Sequence, residues 1–173
     1  MTVRPILIAP HPVLKRPAEA VGTVDAEVRQ LMDDMLDSMH AANGIGLAAP
    51  QVGVLKQVIV VDVAGPDEPA NPLCLADPEI VWGSPETVLG EEGCLSLPDQ
   101  FADVVRSERI RVRFLDRDGG RREMDAGGLL ARCIQHEMDH LQGILFVDHL
   151  SSLKRNMILR RLAKTRKQLA AAE

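Results

Sequence analysis

The stretch GGLLARCIQHEMDHLQG, residues 127–143, constrains the chain more than any other. Glycines bracket it, and its apolar residues recur at helical spacing, so it reads as one helix with a start and a stop. On such a helix residues i and i+4 share a face, about 40° apart. His136 and His140 can therefore chelate one ion, while Glu137 lies about 100° round, beside the ion and not on it. H-E-x-x-H is the pattern in which a carboxylate next to a metal takes a proton from water. Two ordinary surface histidines would carry the same letters, so a third ligand is needed to give the motif weight. Leu129 and Cys133 precede His136 on the same face and place an apolar patch next to the ion.

Cys94, in EEGCLSLP, is the best third ligand. Gly93 before it lets the backbone come close to something. Cys74, in NPLCLADP, reads as a buried strand residue, and Cys133 reads as pocket lining. Two histidines and a cysteine leave a fourth position for water, the arrangement of a catalytic site and not a structural one. Taken alone, Cys94 would be a small buried hydrophobe, the commoner fate of a free cysteine.

A third stretch, GIGLAAPQVG at 44–53, matches a nucleotide fingerprint through Gly44, Gly46 and Ala49, but its context is wrong. A helix precedes it, and Pro50 and a strand follow, the reverse of what that fingerprint needs. It reads instead as a tight loop whose glycines let a ligand approach. Gln51 at its end can donate an amide N–H to a developing oxyanion. From the residues alone, an exposed Gln51 in a plain helix-to-strand connection is the favoured reading.

The remaining elements surround this helix. DAEVRQLMDDMLDSMHAAN (25–43) is a helix burying Val28, Leu31, Met32, Met35 and Met39, with Asp25 as N-cap and Gly44 as stop. KQVIVVDV (56–63) is a buried strand. RIRVRFLDRDGGRR (109–122) alternates Ile110, Val112 and Phe114 against arginines and turns at DGG. Residues 151–172 form a second long helix. Strands in the middle with helices around them give an α+β class. The whole chain, 1–173, is expected to be a single domain of antiparallel strands around the central H-E-x-x-H helix, with a long C-terminal helix.

Of 20 Lys and Arg and 25 Asp and Glu, seven bases and one acid lie from Ser151 on, so that tail carries +6 and the first 150 residues −11. A basic tail on an acidic body is expected to meet an anion. Lys154, Arg160, Arg161, Lys164 and Lys167 share one side of it; Ile158, Leu159, Leu162 and Leu169 share the other. Three cysteines without a C-x-x-C pair suggest reduced thiols in the cytoplasm. Four prolines break the first 17 residues, so no signal or transit peptide is expected. No apolar run reaches the roughly 18 residues of a membrane span.

Together GIGLAAPQ (44–51), EGCLS (92–96) and QHEMDH (135–140) resemble, in order, the three signature motifs of peptide deformylases, and the likeness to the bacterial type 1 branch covers nearly the whole chain. The resemblance implies an enzyme that removes the formyl group from N-formylmethionine of nascent polypeptides and releases formate. It implies one divalent metal on Cys94, His136 and His140, Fe²⁺ in the cell, with Zn²⁺, Ni²⁺ or Co²⁺ able to substitute. Glu137 would take the proton of the attacking water and pass it to the departing amine. The Gln51 side chain and the Leu95 backbone N–H would serve the oxyanion. Ile45 and Gly46 would hold the peptide as an added strand, and the methionine would enter a patch of Ile45, Leu129 and Cys133. A ribosome met by the basic C-terminal helix and a monomeric state complete the expectation. Phe101, Gly90 and Arg132 depart from the family's usual residues and leave the pocket's shape open. Two rivals are a metallopeptidase of the same motif and a zinc-stabilised binding module without turnover; a fourth protein ligand would favour the latter.

Overall fold

The apolar run Val58–Val61 is buried at all four positions, which requires cover on both faces of the strand it forms. The computed structural model, which describes residues 2–172, supplies that cover. In chain order the elements are α1 (Ala26–Ala41), β1 (Gly46–Ala48), β2 (Val58–Val61), β3 (Leu73–Gly83), β4 (Thr87–Cys94), β5 (Leu97–Ser107), β6 (Arg109–Leu115), β7 (Arg121–Gly127), α2 (Gly128–His140) and α3 (Ser152–Ala172). Five strands make one antiparallel sheet in the order β1-β2-β3-β6-β7, and β4 and β5 pair separately as a hairpin.

The sheet lies between two helices. Val58 and Val60 join Leu31, Met32, Met35 and Met39 of α1 in one apolar cluster. Ile59 and Val61 join Ala131, Cys133 and Ile134 of α2, with Ile110, Val112 and Phe114, in another. A third cluster links the N-terminal segment through Ala9 and Leu14, the hairpin through Leu97 and Val104, and α3 through Ile158 and Leu162. The central helix is thus packed between the large sheet and the hairpin.

Local chemistry sets the boundaries. Asp25 caps α1, its carboxylate accepting the Val28 N–H at 2.9 Å, a contact worth about 1 kcal/mol. The helix ends at Ala41, short of the predicted Asn43, because Asn43 turns left-handed (φ 57°). Gly44 N–H then donates back to Met39 O. The 109–122 alternation holds, and the second strand continues to Gly127. Its turn is longer than two residues and is built on Asp116, whose carboxylate accepts from Asp118 N, Gly120 N and Arg122. The predicted strand 56–63 keeps only its four central residues.

Helix α3 differs from the two-sided helix read from its wheel. Ile158 and Leu162 are buried, but Leu169 is 63% exposed. The helix outruns the body it packs on, so its last turns meet nothing apolar. No helix among the described residues is long and apolar enough to cross a membrane.

Candidate metal and catalytic centre

Cys94 is the last residue of β4. It pairs with Leu97, so Leu95 and Ser96 alone make the turn of the hairpin. That turn is anchored: Ser96 O accepts the Ala9 N–H at 2.9 Å. The Leu95 side chain lies against Gly44, where an added Cβ would stand 2.7 Å from Leu95 Cδ1. The cysteine therefore sits at a fixed hairpin tip facing α2.

Helix α2 brings the other two donors. The His136 and His140 rings stand edge to face with centroids 5.2 Å apart. Cys94 Sγ lies 3.4 Å from His140 Nε2, and one ligand atom each from Cys94, His136 and His140 falls within 4.8 Å of the others. Among the described residues the group has these three members, and no other group of three or more His, Cys, Asp or Glu residues converges in this way.

Glu137 is buried beside the triad, its Oε1 3.9 Å from His136 Nε2. Burial pushes its carboxyl up to about 7, against the opposing pull of His136. Burial holds His140 well below its ordinary value, and the positive charges of His136 and Arg106 add to this. A neutral imidazole is the form that ligates. Burial also disfavours a charged His136, but hydrogen bonds with Cys94 and Glu92 and the charge of Glu137 outweigh it and raise its pKa.

Glu92 explains how His136 is oriented. Its carboxylate lies 2.8 Å from His136 Nδ1, which leaves Nε2 to face the site. Burial alone would raise the Glu92 pKa, yet hydrogen bonds from Arg106 and His136 drive it well below the carboxylate range. Arg106 grips Glu92 with two nitrogens at 2.9 and 2.8 Å and reaches Asp139 at 2.6 Å. Asp139 in turn meets His149 Nε2 at 2.8 Å. Gln135 fastens the helix to the hairpin's other end, exchanging hydrogen bonds with both backbone groups of Ser107.

Glu92, Arg106, Asp139 and Gln135 were missed as functional residues. Three of the four stand inside the EGCLS and QHEMDH motifs, where the ligands and the base beside them carry the clearer signal. Arg106 had its own signal: it falls on the inward parity of β5 with Val104, and a buried arginine must be paired.

Gln51 is not the exposed connector favoured by the residues alone. It is 1% exposed. Its Oε1 accepts the Ala48 N–H, and its Nε2 donates to Ser96 Oγ at 3.1 Å and towards Cys94 Sγ at 3.5 Å. Gly46 is dictated by close approach: a Cβ there would stand 2.7 Å from both Cys133 Sγ and Glu137 Oε1. Ile45 O accepts the Asp62 N–H at 2.8 Å, so Gly46, opposite Val61, occupies the next position, whose own backbone groups turn away from β2. A cleft of about 460 Å³ opens here, lined by Ile45, Leu129 and Cys133 with Cys94, His136 and Glu137; Phe101 and Arg132 border it too.

The donors fit a divalent metal. One thiol with two imidazoles suits zinc and iron alike. Glu137 Oε2 and His140 Nδ1 are buried without a hydrogen-bond partner among the described residues, a cost of about 1–3 kcal/mol each that a bound ligand or water offsets.

The chain is similar to known proteins in sequence and in fold. Residues 3–156 match the model of the polypeptide deformylase family. The peptide deformylase of Methylocella silvestris is 54% identical over 170 residues, covering 96% of this chain and 87% of that protein. That of Phenylobacterium zucineum is 52% identical, covering 95% and 97%. The crystal structure of peptide deformylase from Ehrlichia chaffeensis superposes with a TM-score of 0.93 at 40% identity, covering 96% of this chain and 98% of that one.

Proposed function

The chain belongs to the polypeptide deformylase family, and from that membership we propose how its residues divide the work. The reaction is hydrolysis of the formyl amide at the start of a nascent polypeptide, releasing formate. Cys94, His136 and His140 would hold the divalent metal. Held there, the ion supplies the Lewis acidity that makes a water nucleophilic near neutral pH. The observation that carries the reading is the convergence of three ligand atoms within 4.8 Å beside a buried carboxylate that Gly46 alone leaves room for.

Glu137 is the acid–base group. It takes a proton from the attacking water as the C–O bond forms, and returns it to the nitrogen as the C–N bond breaks. Gln51 and the Leu95 N–H serve the developing oxyanion; one Gln51 N–H must leave Ser96 or Cys94 to do so. Such a donor is typically worth about 3 kcal/mol of barrier. Glu92 keeps the His136 ring turned so that Nε2 meets the ion. Gly46, with Ile45, lines up the peptide along the open edge of β1, and Ile45, Leu129 and Cys133 receive the methionine side chain.

We assign Fe²⁺ as the ion in the cell. Zinc binds such donors more tightly by the Irving–Williams order and can displace it during purification, with Ni²⁺ and Co²⁺ as further substitutes. The enzyme acts as one catalytic domain, 1–173, as a monomer in the cytoplasm. Anaerobically prepared protein should release formate from a formyl-Met tripeptide in proportion to its bound metal. Absence of formate from a metal-loaded sample would sink the reading.

The basic side of α3 docks on the ribosome. Arg160, Arg161, Lys164 and Lys167 are exposed and have no salt-bridge partner among the described residues. Because Ile158 and Leu162 are buried, truncation at Lys154 would damage the fold, and charge reversal of these four side chains is the cleaner test. Reversal should weaken ribosome binding at low salt, as counterion release requires, and leave tripeptide turnover unchanged. Equal ribosome affinity would remove the docking role and leave the chemistry standing.

A further inference from the structure

The hairpin that carries Cys94 has no hydrogen-bonded neighbour in the large sheet, and a two-stranded ribbon alone is marginal. Its distance from α2 matters because the three ligand donors are split between them, and Gln135 on Ser107 and Arg106 on Asp139 are two ties across the gap. Arg132, one helical turn before His136, spans that gap. Its Nη1 donates to Val104 O at 2.8 Å and to Glu92 Oε2 at 2.7 Å, and lies 3.4 Å from Gly90 O. Its Nη2 donates to Val88 O at 2.7 Å. One guanidinium thus gathers carbonyls from both strands of the hairpin together with the carboxylate that orients His136. Its side chain is only 13% exposed.

Gly90 is the other half of the arrangement. A Cβ at this position would stand 2.9 Å from Arg132 Cζ and 3.0 Å from its Nε and Nη2. The guanidinium lies flat against the glycine and is pinned by bonds on both nitrogens, so it cannot swing aside as a loose side-chain end would. Arg132 and Gly90 are therefore one feature: the arginine fits in this position only because residue 90 has no side chain.

We propose that Arg132 and Gly90 form a clamp that holds the body of the hairpin, and through it Cys94, at a set distance from His136 and His140. Arg132 is a positioning residue acting through Glu92 and the hairpin backbone. The proposal rests on Cys94, His136 and His140 being the ligand set.

Cobalt-loaded protein tests it, read by chelator competition and by the thiolate-to-cobalt absorption. Arg132→Leu and Gly90→Ala should each weaken Co²⁺ binding about tenfold or more and shift the band. Gly90→Ala in the Arg132→Leu background should cost nothing further, because the atoms it strikes are gone. Arg132→Lys keeps a charge near Glu92 but not the fork, and should restore only part of the affinity. Wild-type affinity and spectrum in Arg132→Leu or in Gly90→Ala, multiplying effects in the double variant, or full rescue by lysine would each overturn the clamp. Should Arg132→Leu fail to fold, Gly90→Ala still decides, since it retains every donor of the arginine. A wild-type protein without any thiolate–cobalt band would overturn the ligand set and the clamp together.

Discussion

Of the thirteen residues of α2, six are buried, and His136, Glu137 and His140 are among them; of the twenty-one residues of α3, only Ile158 and Leu162 are buried. Both helices carry polar residues along most of their length. In α2 these have been taken out of water and given partners: Glu92 for His136, the backbone of Ser107 for Gln135, Arg106 for Asp139. In α3 the charges remain solvated, and one of the few held contacts is Arg166 Nη1 on Ala9 O. A polar residue's consequence depends on what replaces its water. The same substitution should therefore be severe on one helix and its partners and slight on the other.

The largest effect is expected at Glu137. Glu137→Gln cannot accept the water's proton, so kcat should fall roughly 10²–10⁴-fold with metal content unchanged; near-normal turnover in metal-loaded protein would remove its assigned role. Next comes Arg106→Leu, which takes two charge-assisted hydrogen bonds from the buried Glu92 carboxylate and leaves it to Arg132 and His136. Breaking such a pair costs about 3–5 kcal/mol, whereas Arg160→Ala on α3 should stay within about 0.5 kcal/mol. Denaturant melts of both variants giving equal losses would erase the contrast between the helices.

Cys94→Ser should lose more metal affinity than the roughly 100-fold upper end seen for residues that only orient a ligand. Cys74→Ser is the control. Burial, with the Asp33 charge adding, pushes the Cys74 thiol up to about 11, so it stays protonated and its removal should leave the metal unaffected. A small effect is expected at the exposed counterpart of the Arg106 cluster, Arg117 with Asp33 at 2.8 Å. The Arg117 hydrogen bond holds the Asp33 pKa below its ordinary value. Its contribution is therefore present above the unfolded pKa of about 3.9 and disappears as pH falls through the lower folded value. Arg117→Ala should cost less than about 1 kcal/mol at pH 7, and that cost should shrink as pH falls through the lowered Asp33 pKa. A difference that persists at low pH would mean the arginine acts by packing instead.

Much of this was legible in the sequence because the relevant signals are short-range. Helical spacing put His136 and His140 on one face, β-branched runs marked β2, alternation marked β6, and DGG marked the turn that follows it. The hairpin of β4 and β5 was not read, because Gly90, Gly93 and the carboxylates of Glu91 and Glu92 hide its alternation. Its inward side is lined with charge that only tertiary partners make tolerable. The burial of Gln51 was hidden for the same reason: its partners, Ser96 and Cys94, lie more than 40 residues away. Leu169 erred in the other direction, since a helical wheel shows which side is apolar and not how far the body extends beneath it.

The division of the donors between hairpin and helix also has a consequence in time. Cys94 is synthesised 42 residues before His136. At about 5–20 residues per second the thiol waits roughly 2–8 seconds for its first imidazole. Arg132 and the glycine-bracketed helix arrive in that same late interval. On the proposed ligand set, the complete site can form only after His140 has been made, and each new molecule passes through an interval in which its thiol stands without its imidazole partners.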